Sequence, residues 1–294
     1  MQVLITGGTG LVGQALTKAL VAQGDEVVIL TRRPHPDQKG ILYRVWNGVE
    51  IPKPMNPDDF QAVVHLAGAS IAGQRWTRTY KELLWTSRIE STKAVVTWLQ
   101  EAQKPPHLIS ASAVGYYGHS VSQTPCTEES PPGSDFLAGL ARAWEAAALQ
   151  APRPPFIARF GIILSRGGGA LPKILQGFRL GVGTYFSPGQ QGFSWIHIQD
   201  AVGVLLWALA HPEMAGPFNV CAPHPISARH LAEVVARRRR SWLLLPIPKG
   251  PLYWIYGDMA DTLHKGQYAI PMRLSQAGFS FQFPAIEKAL ADLL

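Results

Sequence analysis

Cysteine, long hydrophobic runs and charge are all scarce in this chain, and each scarcity excludes a class of protein. The 294 residues include two cysteines, Cys126 and Cys221, far apart and in no metal-ligand spacing. This pattern predicts reduced thiols in a cytoplasmic protein and no metal site. The longest apolar run, VGVLLWALA at 202–210, is about half of the roughly 20 residues that span a bilayer. No basic region opens the chain, so we expect no signal peptide.

Charged residues make up 16% of the chain and hydrophobic residues 47%, which is enough to bury a sizeable core. The net charge is nevertheless +7, partly from the run RRRR at 237–240. That run follows the helical pattern ARHLAEVVA, and cations at a helix C-terminus complement its dipole. We therefore interpret it as a solvated helix end. The alternative is a nucleic-acid contact, but no zinc spacing or RNA-binding aromatic motif accompanies the run.

Strand and helix patterns alternate through the first half of the chain, which predicts a doubly wound parallel sheet of the α/β class. Thr79 and Glu82 have the spacing of a capping box at the start of the second helix. The predicted strands are 2–6, 26–30, 62–68, 107–112 and 155–164, and the predicted helices are 11–24, 79 to about 101, and 135–150.

Beyond Ser165 the alternation gives way to a glycine-rich stretch. Helices over 200–211 and 228–238 and a strand in WLLLPIP are predicted after it. The alternation of Phe279, Phe281 and Phe283 with polar residues predicts a half-buried strand. With Trp254 and Tyr256, these aromatics are expected to form a small core in the tail.

These patterns predict a Rossmann-type domain over residues 1–222 and a smaller C-terminal substrate-lobe module over 223–294. Residues 166–194, within the first range, are expected to contribute to the substrate lobe. A cleft is expected between the two parts.

The stretch TGGTGLVG at 6–13 places Gly7, Gly10 and Gly13 between a strand and a helix. Glycines in that context permit a tight turn and a close approach of the backbone to a pyrophosphate, and the helix N-terminus offers N–H donors. The sequence therefore predicts a dinucleotide site here.

The end of the second strand indicates which dinucleotide is bound. An NAD site usually has an Asp or Glu there for the ribose 2′-hydroxyl. This chain has Thr31, Arg32 and Arg33, with no carboxylate before Asp37. Either arginine suits a 2′-phosphate, which predicts NADP(H). The alternative is a pair of solvated loop arginines.

With these residues considered, the chain resembles the extended short-chain dehydrogenase/reductases, specifically the atypical "epimerase family protein" branch that is NAD-dependent epimerase/dehydratase-like. The resembling stretches cover nearly the whole chain, and the tail resembles a small C-terminal domain of unknown function. They are GGTGLVG, VVHLAGASI (63–71), SRIEST (87–92), SASAVGYYG (110–118), FSWIHIQD (193–200) and the tail over 266–290.

The resemblance implies that Ala67 and Gly68 lie beside the adenosine and that Ser112 binds the reacting oxygen of the substrate. It implies that His197 and Asp200 shape the floor of the substrate lobe, where a structural role for His197 is as plausible as a catalytic one. The expected cofactor-binding residues are Gly7, Thr9, Gly10, Leu11, Val12, Gly13, Thr31, Arg32, Arg33, Leu66, Ala67, Gly68, Arg88 and Arg159. The expected catalytic residues are Ser112, Tyr116, Tyr117 and Arg88.

Two departures from the family pattern complicate that expectation. Arg88 stands where many relatives have an asparagine. In addition, relatives carry Tyr-x-x-x-Lys on the helix that here reads DFLAGLARAWE (135–145). Alignment on Glu145 puts Leu137 and Ala141 at those two positions, and no lysine occurs between Pro105 and Pro172.

Two functions therefore remain open. The first is an NADP-dependent oxidoreductase or epimerase that acts on a small carbonyl or sugar-like substrate and uses Tyr116 or Tyr117. The second is a catalytically inactive NADP(H)-binding regulatory or sensor protein. In either case we expect a monomer or homodimer with no nucleic-acid or membrane partner.

Overall fold

The computed structural model describes residues 1–118, 124–248, 250, 257–260 and 264–294. Its strands, in chain order, are β1 Gln2–Thr6, β2 Glu26–Thr31, β3 Ile41–Val45, β4 Ala62–His65, β5 His107–Ala113, β6 Phe156–Phe160, β7 Ile162–Ser165, β8 Gly168–Gly169, β9 Val182–Phe186, β10 Gly192–Phe193, β11 Trp195–His197, β12 Gly216–Val220, β13 Ile226–Ser227 and β14 Leu243–Ile247.

The helices are α1 Leu11–Ala22, α2 Arg78–Leu99, α3 Phe136–Ala148, α4 Ala170–Gln176, α5 Ile198–Ala210, α6 Ala228–Arg238, α7 Met272–Gln276 and α8 Ile286–Leu293. Among the helices described, none combines the length and the apolarity that crossing a membrane requires.

Seven parallel strands form the central sheet in the order β12–β6–β5–β4–β1–β2–β3. The chain builds outward from β1 to β3, returns to β4 and builds outward again in the other direction. The order therefore reverses between β1 and β4, and in open parallel sheets the crevice at such a reversal is where ligands bind. The predicted α/β class and doubly wound parallel sheet are confirmed.

Helices cover both faces of this sheet, which explains why its strands lack polar alternation. Val3 and Ile5 pack into a core with α1 and α5, whereas Leu4 points to the opposite face and packs with α2. All three side chains are fully buried. The sequence of β1 therefore contains a continuous apolar run.

Local signals mark several helix ends, and one predicted signal is misplaced. Asp135 caps α3 by accepting from the Ala138 amide at 3.0 Å, and Gly24 follows α1 with a φ of +86°, which suits a glycine at that position. The predicted cap of α2 at Thr79 is wrong. Thr77 is the cap and accepts from the Tyr80 amide at 3.1 Å, while Glu82 pairs instead with the Arg78 guanidinium at 3.2 Å.

The single strand predicted over 155–164 is also wrong, because the chain bends at Gly161. There the chain leaves the central sheet at the end of β6, and β7 forms a three-stranded sheet with β11 and β8. A Cβ placed on Gly161 would lie 2.9 Å from the Ser194 carbonyl oxygen. Glycine therefore permits a contact with a distant segment that the local pattern does not reveal.

The second half of the chain builds a smaller lobe around its own apolar cluster. Trp195, Leu171 and Phe178 pack there with α6 and α8. The strand predicted in WLLLPIP is present as β14, which pairs in parallel with β9. The division of the chain at residue 222 stays a prediction.

Phe283 is buried and Phe279 and Phe281 are partly buried, but the three form neither the predicted strand nor a separate core in the tail. Phe279 and Phe281 pack on the core that contains α1 and α5, and Phe283 packs in the cluster of the smaller lobe. The backbone amides of Gln282 and Phe283 donate to the carboxylate of the buried Asp200 at 2.7 and 2.9 Å. These amides bond a side chain and so are not available to a strand partner. Trp254 and Tyr256 lie outside the described residues.

One buried histidine ties together β1, β4 and α2. Thr92 donates its hydroxyl to the Arg88 carbonyl at 2.6 Å, so His65 Nε2 donates to Thr92 Oγ1 at 3.0 Å and Nδ1 accepts from Thr6 Oγ1 at 2.7 Å. Thr6 Oγ1 in turn accepts from the Ala67 amide at 3.2 Å. Burial lowers the pKa of His65 to about 3, so the ring is neutral at all physiological pH values.

We predict that His65 makes the protein acid-sensitive. Its pKa is lower in the folded protein than in the unfolded chain, so its stabilisation is complete above pH 6.5. That stabilisation is lost as the pH falls towards 3, at roughly 1 kcal/mol per pH unit. Urea unfolding between pH 7 and 5 should show a shallower decline for His65→Gln than for the native chain. The exposed His224→Gln is the control and should leave the slope unchanged. Equal slopes for the native chain and His65→Gln would contradict this assignment.

Candidate active site

The glycine turn after β1 brings the first and fourth strands together at the point where the sheet order reverses. Gly7 has a φ of +71°, and a Cβ on it would lie 2.7 Å from the carbonyl carbon and oxygen of Leu66. A Cβ on Gly13 would lie 2.4 Å from the Gly7 carbonyl oxygen. Any other residue at either position would push these segments apart. The predicted stretches 7–13 and 66–68 therefore meet at one edge of the sheet.

The N-terminus of α1 faces outward from this turn. Gly10 is the N-cap, and its amide donates to the Gly7 carbonyl at 2.9 Å. Within the part of the chain that the structure covers, no side chain caps the helix. The amides of Leu11, Val12 and Gly13 belong to the first helical turn, whose N–H groups have no acceptor within the helix. Such a terminus, with exposed Thr9 and Gly10 beside it, suits a pyrophosphate.

The end of β2 lies next to that turn, because Leu30 is in register with Thr6 of β1. Thr31 is buried, and its hydroxyl accepts from the Arg33 amide at 3.4 Å. Arg32 and Arg33 are both exposed.

The first carboxylate after β2 is Asp37, and it is already engaged. It accepts from the Tyr43 amide at 2.7 Å and pairs with the Arg44 guanidinium at 3.3 Å. The pKa of Asp37 is below its ordinary value, first because of the hydrogen bond from Tyr43. The position that holds a ribose-binding carboxylate in NAD sites therefore has two arginines here.

A second group of predicted residues meets around a buried ion pair. Arg159 of β6 donates to Glu145 of α3 through two parallel bonds, Nε to Oε1 at 2.8 Å and Nη2 to Oε2 at 2.7 Å. Ser112, at the end of β5, donates its hydroxyl to the same Oε1 at 2.6 Å. All three residues are buried. Although burial alone would lower the pKa of Arg159, the bond and charge of Glu145 raise it, so the guanidinium stays charged.

The two tyrosines that follow β5 differ in their surroundings. Tyr117 is buried, donates to Asn219 Oδ1 at 2.6 Å and accepts from Arg159 Nη1 at 2.9 Å. Burial raises the pKa of Tyr117 well above its ordinary value, and Arg159 offsets this only in part. Tyr116 is partly exposed, and the guanidinium carbon of Arg159 lies 3.5 Å from the centroid of its ring. Tyr116 is thus the more accessible of the two phenols.

Arg88 lies between the two groups of residues. It is buried, and its Nη2 and Nη1 donate to the carbonyls of Ala69 and Leu84 at 2.9 and 3.1 Å. Its guanidinium carbon is 5.1 Å from the Trp144 ring and 3.2 Å from where a Cβ of Gly68 would be. Among the described residues it has no carboxylate partner. Burial lowers the pKa of Arg88 to about 10, which leaves it charged at neutral pH.

The helix that carries a Tyr–Lys pair in relatives presents only apolar groups at the aligned positions. Leu137 lies against the turn after β5. A Cβ placed on Gly115 of that turn would be 3.6 Å from the Cβ of Leu137. Ala141 is buried. The same helix contributes Trp144 against Arg88 and Glu145 against Arg159, so it shapes the site without contributing a proton donor at 137 or 141.

Several residues near the site were not predicted from the sequence. Glu128 Oε1 accepts from the amides of Asn219 and Arg273 at 3.0 and 3.3 Å. Asn219 Nδ2 donates to the Ile270 carbonyl at 2.9 Å. Buried polar groups of this kind follow no local spacing. Asn219 gives a signal, as a polar residue in a strand that is otherwise apolar, whereas Glu128 lies in no strand and gives none.

His197 and Asp200 make contacts that hold parts of the chain together. His197 caps α5 by accepting from the Gln199 amide at 3.2 Å, and it stacks on Phe283 with ring centroids 3.8 Å apart. Asp200 holds the tail backbone as described above. Both side chains therefore join the smaller lobe to the sheet domain.

Comparison with known proteins identifies the family of this chain. The family described as NAD dependent epimerase/dehydratase matches residues 3–221. The chain belongs to that family. A domain of unknown function, DUF1731, matches residues 247–293. The chain thus has the NAD(P)-binding, extended short-chain dehydrogenase/reductase fold of the family, together with the C-terminal domain that the resemblance implied.

Known proteins match this chain over its full length. The epimerase family protein YfhF of Bacillus subtilis is 34% identical over 100% of this chain and 98% of its own length. The human epimerase family protein SDR39U1 (isoform 2), whose crystal structure was solved with NADPH, has a TM-score of 0.89 and 33% identity over 100% of this chain and 99% of that one. The nucleoside-diphosphate sugar epimerase from Corynebacterium glutamicum has a TM-score of 0.80 and 31% identity, covering 100% of this chain and 58% of that one.

The buried ion pair should be a major contributor to stability. Glu145→Gln removes the charge that offsets Arg159, and loss of one partner from a buried pair typically costs about 3–5 kcal/mol. Urea unfolding should show a loss of that order. Glu82→Gln is the matched control, because Glu82 pairs with Arg78 on the surface and should cost no more than about 1 kcal/mol. Similar losses for the two variants would show that the pair does not hold the site together.

Proposed function

We propose that this protein binds NADP(H) at the carboxyl edge of its sheet. The observation that carries the proposal is the end of β2, where Arg32 and Arg33 stand exposed beside the glycine turn and the nearest carboxylate is already paired. A guanidinium matches the geometry of a 2′-phosphate. The human relative crystallised with NADPH supports the same choice.

The residues present fit such a cofactor. The stretch from Gly7 to Gly13 leaves room for a pyrophosphate against the first turn of α1, and Leu66, Ala67 and Gly68 form the adjacent wall. Arg88, a buried cation with no described carboxylate partner, would lie further along the cleft. The guanidinium nitrogens of Arg159 bond to Glu145 and Tyr117, so any effect of Arg159 on the cofactor is indirect. When bound, the nicotinamide donates or accepts a hydride.

Arg32→Ala should weaken NADPH binding by about ten- to a hundred-fold and leave NADH binding nearly unchanged. The reason is that a charge-assisted hydrogen bond contributes roughly 1.5–3 kcal/mol. Fluorescence titration of both cofactors measures this, with Lys39→Ala as an exposed cation nearby that should have little effect. If Arg33 rather than Arg32 holds the phosphate, Arg33→Ala shows the loss instead. Equal affinities of the native protein for NADH and NADPH would contradict the proposal.

We further propose an oxidoreductase or epimerase acting on a small carbonyl or sugar-like substrate, with Tyr116 as the proton-transferring group. Tyr117 is already bonded to Asn219 and Arg159 inside the protein, and the Ser112 hydroxyl already donates a hydrogen bond to Glu145. Tyr116 lies beside Tyr117, with ring centroids 5.4 Å apart, and is partly exposed. Ser112 would then orient a substrate hydroxyl or a water by accepting a hydrogen bond from it, and Arg88 would face the polar groups of the substrate. The free Cys126 and Cys221 thiols suit a reducing compartment such as the cytoplasm.

The composition of α3 favours a second candidate, an NADP(H)-binding sensor without catalysis. Leu137 and Ala141 cannot move protons, and no lysine occurs between Pro105 and Pro172. The cation nearest Tyr116 is Arg159, whose charge is matched by Glu145. A site of this kind can hold a cofactor firmly and still lack the proton chemistry of its relatives.

Incubation with NADPH and a panel of carbonyl compounds separates an oxidoreductase from the sensor. If the protein is an enzyme, Tyr116→Phe should reduce NADPH oxidation by a hundred-fold or more while leaving the melting temperature nearly unchanged. Tyr117→Phe should instead lower the melting temperature, because it removes a buried hydrogen bond to Asn219. Ser112→Ala should impair turnover.

Two outcomes would contradict the assignments. Oxidation that survives all three substitutions would refute the proposed catalytic residues. An absence of oxidation with every compound, together with tight NADPH binding, would rule out a reductase for those compounds and would favour the sensor or an epimerase, which consumes no cofactor overall.

A further inference from the structure

Two neighbouring turns on the smaller lobe carry large apolar side chains that face solvent. Leu180 is 98% exposed and Trp242 is 78% exposed. Leu180 also has a φ of +52°, in a tight turn where the amides of Arg179 and Val182 each donate to the other's carbonyl at 3.0 Å. A bulky residue in this left-handed conformation is uncommon. Folding alone would favour a glycine or asparagine at this position.

The two turns form one surface. The Trp242 amide donates to the Gly181 carbonyl at 2.8 Å, and a Cβ on Gly181 would collide with the Trp242 indole. From Trp242 the chain enters β14, where Leu243 and Leu245 are also exposed while Leu244 packs on the core of the lobe. The apolar side chains therefore continue from the turns along the outer face of the strand.

Cations surround these apolar side chains. Arg179 and the run Arg237–Arg240 are all exposed. Helix α6 ends within the run, and the Ser241 amide donates to the Ala236 carbonyl at 2.9 Å, so the chain turns directly from the arginines to Trp242. In the portion of the chain described, none of the five arginines is paired with a carboxylate. The nearby acids are engaged with other residues: Glu233 pairs with Arg229 and Glu287 with His230.

A solvated helix end explains the arginines but not Leu180 or Trp242. We propose that this surface, the basic–apolar tip formed by Arg179, Leu180, Arg237–Arg240, Trp242, Leu243 and Leu245, docks on an anionic lipid membrane. Guanidinium groups are attracted to anionic headgroups, while tryptophan and leucine enter the boundary between headgroups and acyl chains. The sequence expectation of no membrane partner rested on the absence of a spanning segment, which does not bear on docking at the surface.

The charge pattern favours lipid over a second copy of this chain. A contact between identical tips would bring two sets of five arginines together, and no described carboxylate on the tip would offset them. A membrane of mixed charge offers both a negative surface and an apolar layer. The proposal is independent of the nucleotide site and of whether the protein is catalytic.

Sedimentation with lipid vesicles tests the proposal on the full chain. Vesicles of phosphatidylcholine with 30% phosphatidylserine, a composition chosen as the probe, should retain the protein at low salt. Vesicles of phosphatidylcholine alone should retain far less, and 0.5 M salt should release it. Arg239→Gln with Arg240→Asn should reduce binding by about 10- to 30-fold, since each cation near such a surface contributes roughly five-fold. The matched control, Lys18→Gln with Lys104→Gln, removes two exposed charges elsewhere and should change binding little.

Leu180→Asn with Trp242→Gln should reduce binding by about ten-fold or more without altering the charge. Asparagine tolerates the left-handed backbone at 180, so Leu180→Asn alone provides the test if the double variant unfolds. A thermal melt followed by circular dichroism establishes that each variant is folded.

Any of four results in the binding assays would overturn the proposal. They are no retention by anionic vesicles, retention unaffected by Leu180→Asn, an equal loss in the lysine control, and tighter binding of a single-stranded DNA oligonucleotide than of the vesicles. A dimer in sedimentation equilibrium that Leu180→Asn dissociates would also overturn it, because the tip would then be an interface between copies.

Discussion

The ion pair between Glu145 and Arg159 is the constraint on which the geometry of the site depends. Two opposite charges buried together must keep near-ideal geometry, since any separation leaves an uncompensated charge in a medium of low dielectric constant. Their two parallel bonds therefore fix α3 relative to β6. Ser112 bonds to the same carboxylate and Tyr117 to the same guanidinium, so each of these side chains has its position set by the pair rather than by its own strand or turn.

This arrangement differs from the electrostatics that the resemblance to the extended short-chain dehydrogenase/reductases predicts. That resemblance implies a tyrosine and a lysine on the helix corresponding to α3, and the lysine would supply a positive charge beside the tyrosine. Here the nearest cation comes from the strand, as Arg159 over the Tyr116 ring, and Glu145 offsets its charge within the same pair. The field at the phenol is therefore weaker than an isolated lysine would produce. Any proton transfer by Tyr116 must therefore depend more on the position of its phenol and on Ser112 than on a nearby net charge.

The sequence was a reliable guide where a pattern is local. The glycine turn and the strand β1 depend on neighbours within a few residues, and both were predicted correctly. Apart from the cap of α2, which lies two residues before the predicted one, the failures came from long-range contacts. The break at Gly161 depends on Ser194, and the irregular path of the tail near Phe283 depends on the carboxylate of Asp200, more than eighty residues away. For the same reason the partners of Ser112 and Tyr117 could not be deduced, although both had been singled out as candidates.

The C-terminal region contributes to the site through Asn219. The side-chain amide of Asn219 donates from Nδ2 to the carbonyls of Cys126 and Ile270, at 3.3 and 2.9 Å, which leaves Oδ1 to accept from Tyr117. An amide has one donor end and one acceptor end, so the backbone at Ile270 determines which end Tyr117 meets. If the region around Ile270 moved away, the amide would lose one of its two acceptors and could rotate. The phenol would then face a donor instead of an acceptor. The tail thus fixes the orientation of a residue in the sheet domain, and the two parts of the chain share one hydrogen-bond network at the site.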